Sequence, residues 1–414
     1  MSKPLVRPKR KNPLQRTRLP LLPHGQRSRT AHGLTLAAAQ GRFALQVCDD
    51  CSKTIYPPRD ACPYCLGAHL PFKDVVPDGR LIAETTVRIS TDPYFRERTP
   101  WRVGTVQLDA GPLVIAHLHG DTVEGERVRL SLKIDKSGAA VMVALPAVET
   151  ADMQADPILR EMTCDPQFRR VLITDGRTAV GQAMAKAFCE AGASIVFVGI
   201  ANAWKPYPGM QTLAGLDQVE IVPLDLTDSQ SVTDLAGQNG GRIDIIVNTA
   251  EHVRAGGIIG RDGISEARDA MDMRYFGLMR LAQAFGPALR FRGADGQSSA
   301  TAFVNLLSVH ALMNWPAFGA HCAAEAACLS AAQCLRAELR PGGVKVLNAF
   351  FGPLETEWFQ TVPPPKLAPS ALAKAVVNAL KQGLEDVFVG DLAQDIRERL
   401  AANPKALERE LGEG

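Results

Sequence analysis

Two cysteine pairs, Cys48-Asp-Asp-Cys51 and Cys62-Pro-Tyr-Cys65, stand ten residues apart and limit what the N-terminal part of this chain can become. Each Cys-x-x-Cys closes a tight knuckle that aims two thiolates at one point, and two knuckles complete a tetrahedral metal site. With cysteine at all four corners there is no open position for a water, so the site reads as structural. Zinc is the metal expected; a redox dithiol or an iron site is the alternative. A ribbon of this size has little core of its own, and metal binding then supplies its folding free energy. Tyr56-Pro57-Pro58-Arg59 is expected to reverse the chain between the knuckles. Nine cysteines, an odd number with the others dispersed, fit a reducing compartment better than a disulfide framework.

A short helical pattern from Gly33 to Val47 leads into the first knuckle, so residues 31–77 read as a helix and a ribbon. Five alternating runs follow: Arg80 to Ser90, Trp101 to Asp109, Pro112 to Gly120, Arg127 to Asp135 and Ala139 to Leu145. Period-2 alternation punctuated by Gly-containing turns predicts a small β-barrel over residues 78–147. The succession of helix, four-cysteine ribbon and barrel resembles the zinc-ribbon/OB-fold family that accompanies thiolases and other acyl-CoA enzymes. The paired Cys-x-x-Cys, the YPPR turn and the barrel pattern from Trp101 to Gly120 carry that resemblance. It implies a rubredoxin-like ribbon and an OB barrel that act as partner to a thiolase-type enzyme, without chemistry of their own. OB barrels also take oligonucleotides, but these strands lack the interleaved aromatic and basic residues that base stacking needs. Tyr94, Phe95 and Trp101 share one turn-rich segment, where they pack as core or face a partner.

Residues 148–168 are polar and mixed, and read as a linker with room for one helical turn. From residue 169 the pattern becomes alternating strand and helix. Arg170–Thr174, Ser194–Val198, Val219–Pro223, Ile243–Val247, Phe303–Leu307 and Val344–Ala349 are apolar runs separated by amphipathic stretches. That alternation predicts an α/β doubly wound, Rossmann-like domain over 169–414.

Within it, Phe303 to Leu339 reads as a buried strand ending at Ser308, a loop, and a long helix carrying His321 and Glu325 one turn apart. The segment resembles the catalytic stretch of the short-chain dehydrogenase/reductase (SDR) family. There a strand-end serine polarises a carbonyl, a tyrosine delivers a proton, and a lysine four residues later lowers the tyrosine pKa and holds the nicotinamide ribose. The resemblance places Ser308 at the serine, His321 at the tyrosine and Glu325 at the lysine. The family's fourth residue, an asparagine on the interface helix, is matched by Arg274. His321 and Glu325 are i,i+4 and can touch; a carboxylate neighbour would raise the histidine pKa and make it an acid. The matched tetrad is therefore either inactive or altered. The same resemblance makes the helices near Glu266–Phe285 and Phe318–Leu339 a subunit interface; a well-packed internal helix is the other reading.

The family's first turn, T-G-x-x-x-G-x-G, lets the backbone approach a pyrophosphate at a helix N-terminus. Here it reads Thr174-Asp175-Gly176-Arg177-Thr178-Ala179-Val180-Gly181. Asp175 would cap the exposed amides itself and oppose a phosphate. At about 4 Å and an effective dielectric near 20 the repulsion is roughly 4 kcal/mol, about a thousandfold in affinity. Thr174, Gly176, Gly181, Asp225 and Asn248 are the remaining candidates for the cofactor, and Asp225 and Asn248 also serve as strand or helix terminators. Glu251 replaces the glycine of the family's N-N-A-G. NAD(P) binding is accordingly doubtful, whereas zinc on Cys48, Cys51, Cys62 and Cys65 is expected.

Net charge is +2, with 46% apolar and 22% charged residues, which excludes a general nucleic-acid binder and gives no membrane-spanning run. Residues 1–30 are basic and proline-rich without acid or an apolar signal core. They read as a disordered tail that solubilises, docks an acidic surface or contacts RNA. The cytoplasm is the expected location. The expected function is a non-catalytic scaffold or auxiliary subunit in acyl-CoA metabolism, docking a thiolase-type enzyme and pairing with itself or an active SDR subunit as a homo- or hetero-oligomer. The alternatives are a reductase acting on a 3-oxoacyl-CoA or steroid-like ketone, and an OB-fold module for nucleic acid or another ligand.

Overall fold

A computed structural model of the chain describes residues 20–25, 27–150, 153–260, 263–291 and 302–413. Of the expected basic tail, residues 1–19 and 26 lie outside that set. The chain divides into two compact units after Asp165.

The first unit opens with α1 (His32–Ala39) and a three-stranded antiparallel sheet, β1 (Ala44–Val47), β2 (Thr54–Ile55) and β3 (Phe72–Asp74), in the order β2-β1-β3. The helical pattern expected through Val47 therefore stops at Ala39. Ala44–Val47 is a strand because it is paired on both sides, Gln46 facing Ile55 and Phe72. Next come β4 (Asp78–Val87), β5 (Trp101–Leu108), β6 (Leu113–Leu118), β7 (Arg127–Ile134) and β8 (Ala140–Pro146), closed into a barrel in the order β4-β5-β6-β8-β7. Alternate residues point inward, so Leu81, Val106, Leu118 and Val128 fill the interior.

Between β4 and β5 lies α2 (Pro93–Arg98), started by Asp92, whose carboxylate accepts from the amides of Tyr94 and Phe95. Tyr94 and Trp101 are buried, and the Trp101 indole donates to His117 Nδ1 at 2.8 Å. The span expected as a linker also holds structure: α3 (Pro157–Met162), capped by Asp156, packs Ile158, Leu159 and Met162 against Trp101 and Val143. Three apolar residues in a polar stretch are enough to cover the outward-facing apolar side chains of this part of the barrel wall.

The second unit is one seven-stranded, all-parallel sheet. Its strands are β9 (Arg170–Ile173), β10 (Ile195–Ile200), β11 (Val219–Pro223), β12 (Ile245–Asn248), β13 (Ala302–Ser308), β14 (Lys345–Phe351) and β15 (Asp386–Val389). Their order, β11-β10-β9-β12-β13-β14-β15, reverses direction between β9 and β12, the crevice where doubly wound sheets hold ligands. The crossovers are α4 (Ala179–Glu190), α5 (Met210–Ala214), α6 (Ser229–Asn239), α7 (Ser265–Met271), α8 (Gly277–Phe291), α9 (Gly319–Leu339) and α10 (Pro369–Gln382), followed by α11 (Asp391–Ala402) and α12 (Pro404–Glu413). Asp272–Phe276 joins α7 to α8 as a π-helical turn. Every residue of β13 and β14 is buried, which is why their sequences are mostly apolar, with Asn305 and Asn348 bonded to each other across the two strands.

Candidate functional site

The four ribbon cysteines converge. Cys48 Sγ lies 3.5 Å from Cys65 Sγ and Cys51 Sγ 3.6 Å from Cys62 Sγ, and all four lie within 4.8 Å of one another. The edge of a tetrahedron with zinc–sulfur bonds of ~2.3 Å is about 3.8 Å, so the donor set fits the ion. Both knuckles use the same backbone. Ser52 N donates to Cys48 O and Leu66 N to Cys62 O, each at 2.9 Å, and each donor is a non-glycine residue with positive φ, 58° and 64°. A Cβ on Gly67 would stand 2.0 Å from Asp50 Oδ2 and 3.4 Å from Cys48 Sγ, so a side chain there would have to turn the Asp50 carboxylate aside.

In the second unit the turn after β9 spends four of its amides on its own chain. Asp175 N donates to Thr249 Oγ1 (3.0 Å), Gly176 N to Gly199 O (2.9 Å), Arg177 N to Asp175 Oδ1 (2.9 Å) and Gly181 N to Thr178 Oγ1 (3.0 Å). Burial pushes the Asp175 carboxyl up, against the Arg177 amide and guanidinium that hold it down. Gly176 and Gly181 are fixed by packing: a Cβ would come within 2.1 Å of Val198 Cγ1 and 1.8 Å of Asp175 O respectively. The Thr174 hydroxyl donates to Asn248 Oδ1 at 3.2 Å, and Asp225 Oδ1 accepts from Thr227 N and its hydroxyl at 2.9 and 2.7 Å. Thr174, Gly176, Gly181 and Asn248 flank the crevice and Asp225 follows the edge strand β11; all five are engaged with the chain or fixed by it.

The four positions matched to the SDR tetrad come together at the end of β13. Ser308, His321 and Glu325 are each 1% exposed and Arg274 is 3% exposed. The π turn aims Arg274 inward, where Nη2 donates to Leu306 O at 2.7 Å, Nη1 to Ala250 O, and Nε to Glu325 Oε1 at 2.5 Å. The other Glu325 oxygen accepts from Ser308 N at 2.7 Å. Burial opposes the Arg274 charge, and Glu325 more than restores it. Glu251 sits beside this pair; burial raises its carboxyl to about 7, with Arg274 opposing and Glu325 reinforcing.

Glu325 is thus the partner of Arg274 and of the Ser308 amide, and the alternative of a His321–Glu325 acid/base pair is not what the side chains form. Neither His321 ring nitrogen makes a regular hydrogen bond, and burial lowers its pKa despite Glu325. This corrects the sequence expectation of a raised value: in a site this dry, desolvation outweighs a carboxylate already neutralised by a guanidinium. Sequence reasoning also missed His310, whose Nδ1 lies 2.6 Å from Ser308 Oγ and whose pKa burial lowers to about 3. The signal was an imidazole two residues past the strand-end serine.

Among the described residues no helix is long and apolar enough to cross a membrane. Family models match three stretches: short chain dehydrogenase over residues 169–366, the ChsH2 rubredoxin-like zinc ribbon over 37–70 and the ChsH2 C-terminal OB-fold over 73–133. The Penicillium crustosum short-chain dehydrogenase PC-15 is 32% identical over 201 residues, 47% of this chain and 68% of that one. An uncharacterized Mycobacterium tuberculosis oxidoreductase is 27% identical over 221 residues, 51% and 63% of the two chains. A short chain dehydrogenase from Burkholderia cenocepacia, solved in complex with NADP, superposes with a TM-score of 0.54 at 29% identity, covering 60% of this chain and 98% of that one. The four cysteines accordingly form a zinc-ribbon site, and the barrel beside them is an OB-fold.

Proposed function

Since this chain belongs to the short-chain dehydrogenase family, fused to ChsH2-type zinc-ribbon and OB-fold domains, we propose that it works as a non-catalytic partner subunit. One observation carries the reading: where the family resemblance asks for a lysine, the chain has the Glu325 carboxylate, held by the Ser308 amide and the Arg274 guanidinium. An anion there cannot lower the pKa of a proton donor, and His321 is itself held neutral by burial. The turn after β9 fits a dinucleotide phosphate poorly, because four of its amides are engaged and Asp175 brings a carboxylate to it. In this role the ribbon and barrel engage a thiolase-type acyl-CoA enzyme in the cytoplasm. The second unit pairs with itself or with an intact dehydrogenase subunit, which raises the effective concentration of consecutive enzymes.

The test is titration of the full chain with NADPH, followed by intrinsic tryptophan fluorescence, beside the Asp175→Gly variant. No saturation at micromolar cofactor is expected for the wild type, and the variant gains affinity by about tenfold or more as like-charge repulsion is relieved. Co-purification of a thiolase or an intact dehydrogenase supports the partner role. Saturable micromolar binding by the wild type defeats the reading.

The second reading is a reductase with altered acid/base residues. It is favoured by the NADP complex of the Burkholderia relative and by the survival here of Ser308, Asp225 and Asn248. It requires ketone turnover that disappears in His321→Ala.

A further inference from the structure

His310 lies in the 3₁₀ turn Val309–Ala311 that follows β13, and His321 in the first turn of α9. Their rings meet edge to face with centroids 5.2 Å apart. Trp315 stacks on His310 at 5.7 Å, Phe359 lies parallel to it at 6.5 Å, and Phe318 is 5.8 Å away. Phe318 in turn touches Trp315 at 5.3 Å and Phe359 at 5.9 Å. The cluster therefore ties together the connection after β13, the start of α9 and the turn after β14. Gly256 N, donating to Ala317 O at 2.6 Å, adds the loop after β12. His310 Nε2 and both ring nitrogens of His321 are buried without a regular hydrogen bond.

A neutral imidazole can occupy such an aromatic setting; an imidazolium needs an acceptor for each proton. Here the His252 backbone favours a charged His321, while no acceptor among the described residues pairs with His310 Nε2, so burial dominates and the charged form cannot stay there cheaply. The charged and titratable groups facing the pair offer little relief. On α9, Glu325 has both oxygens engaged by Arg274 and the Ser308 amide. Arg274 itself, from the π turn, repels a second cation. From the loop after β12 come His252, whose ring faces Glu266 at 3.5 Å, and Glu251, which lies beside Arg274.

We infer that His310 and His321 form a proton-sensitive closure: protonation of either ring breaks the aromatic cluster and frees the loops over the carboxyl ends of β13 and β14. The inference is independent of whether the chain is a dehydrogenase. Burial holds His310 down to about 3 and lowers His321 as well, from an ordinary 6.5. The closed state thus binds fewer protons than the open one. Closure is complete above about pH 6.5 and weakens as pH falls, by up to about tenfold per pH unit for each ring.

Cys322 reports the opening, because it is buried and its sulfur accepts from Trp315 N at 3.3 Å, while Cys334 on the same helix is exposed. The zinc-loaded full chain is labelled with N-ethylmaleimide, and the ratio of Cys322 to Cys334 modification is read by mass spectrometry. Normalising to Cys334 removes most of the pH dependence of the reagent. The ratio is expected to rise at least about tenfold between about pH 7.5 and about pH 5.5, and to rise far less in the His310→Phe/His321→Phe double variant. A flat wild-type ratio overturns the inference, as does an equal rise in the double variant. Should that variant not fold, imidazole NMR of the wild type decides. The His310 and His321 signals must change at the same midpoint as the labelling, and a mismatch overturns the inference.

Discussion

In the ribbon, four like side chains converge on one point and need a cation to hold them there. At the carboxyl edge of the large sheet, unlike charges converge and hold each other, Arg274 with Glu325. The ribbon's geometry is that of a site kept for its ligand, since among the described residues the two paired knuckles have no use but to bring four sulfurs together. The sheet edge keeps its scaffold while its polar groups turn inward. The difference teaches that a surviving motif means different things in the two places: thiolates gain nothing from one another, whereas Gly176 and Gly181 are required by Val198 and the Asp175 carbonyl whatever binds there.

The contrast is broken most forcefully at the ribbon. Chelation, or Cys62→Ser, is expected to abolish folding of the three-stranded sheet, because structural zinc contributes on the order of 10 kcal/mol. Zinc content and near-UV circular dichroism of the same sample check it, and an unchanged spectrum after metal loss would reduce the ribbon to an ordinary hydrophobic fold.

The second experiment acts on the sheet edge. Glu325→Leu alone leaves a buried guanidinium unpaired and should destabilise the chain by roughly 3–5 kcal/mol, whereas Glu325→Leu with Arg274→Met should recover most of that loss. Urea unfolding measures both. Equal losses in the single and double variants would mean that the two charges do not stabilise each other.

The smallest effect sharpens the comparison. Glu251 has a folded-state pKa raised to about 7, above its ordinary 4.5, mainly by burial. The folded state therefore prefers the protonated form, and stability falls as pH rises through that value. Glu251→Gln should remove this loss, giving about 1 kcal/mol of added stability above about pH 7 after allowance for solvent screening, and nothing near about pH 5. Thermal midpoints across that range test the sign.

Much of this was readable in one dimension. Cysteine spacing located the ribbon, alternation located the barrel strands, and apolar runs located six of the parallel strands to within a few residues. Periodicity reports which face of an element is buried and is silent about what lies across from it. The pairing of Arg274 with Glu325, 51 residues apart, depends on a π turn that has no sequence signature. His310 was overlooked for the same reason, since its significance lies in Trp315, Phe318 and Phe359 gathered from two further segments. The one helical turn expected in the linker is Pro157–Met162, but its packing was not foreseen because its three apolar residues sit among charges.

The Arg274–Glu325 pair also works as a ratchet. Lysine at 325 alone would set two cations side by side out of water, and asparagine at 274 alone would strand a carboxylate there. Either single replacement passes through an unstable form, so the two positions can change only together.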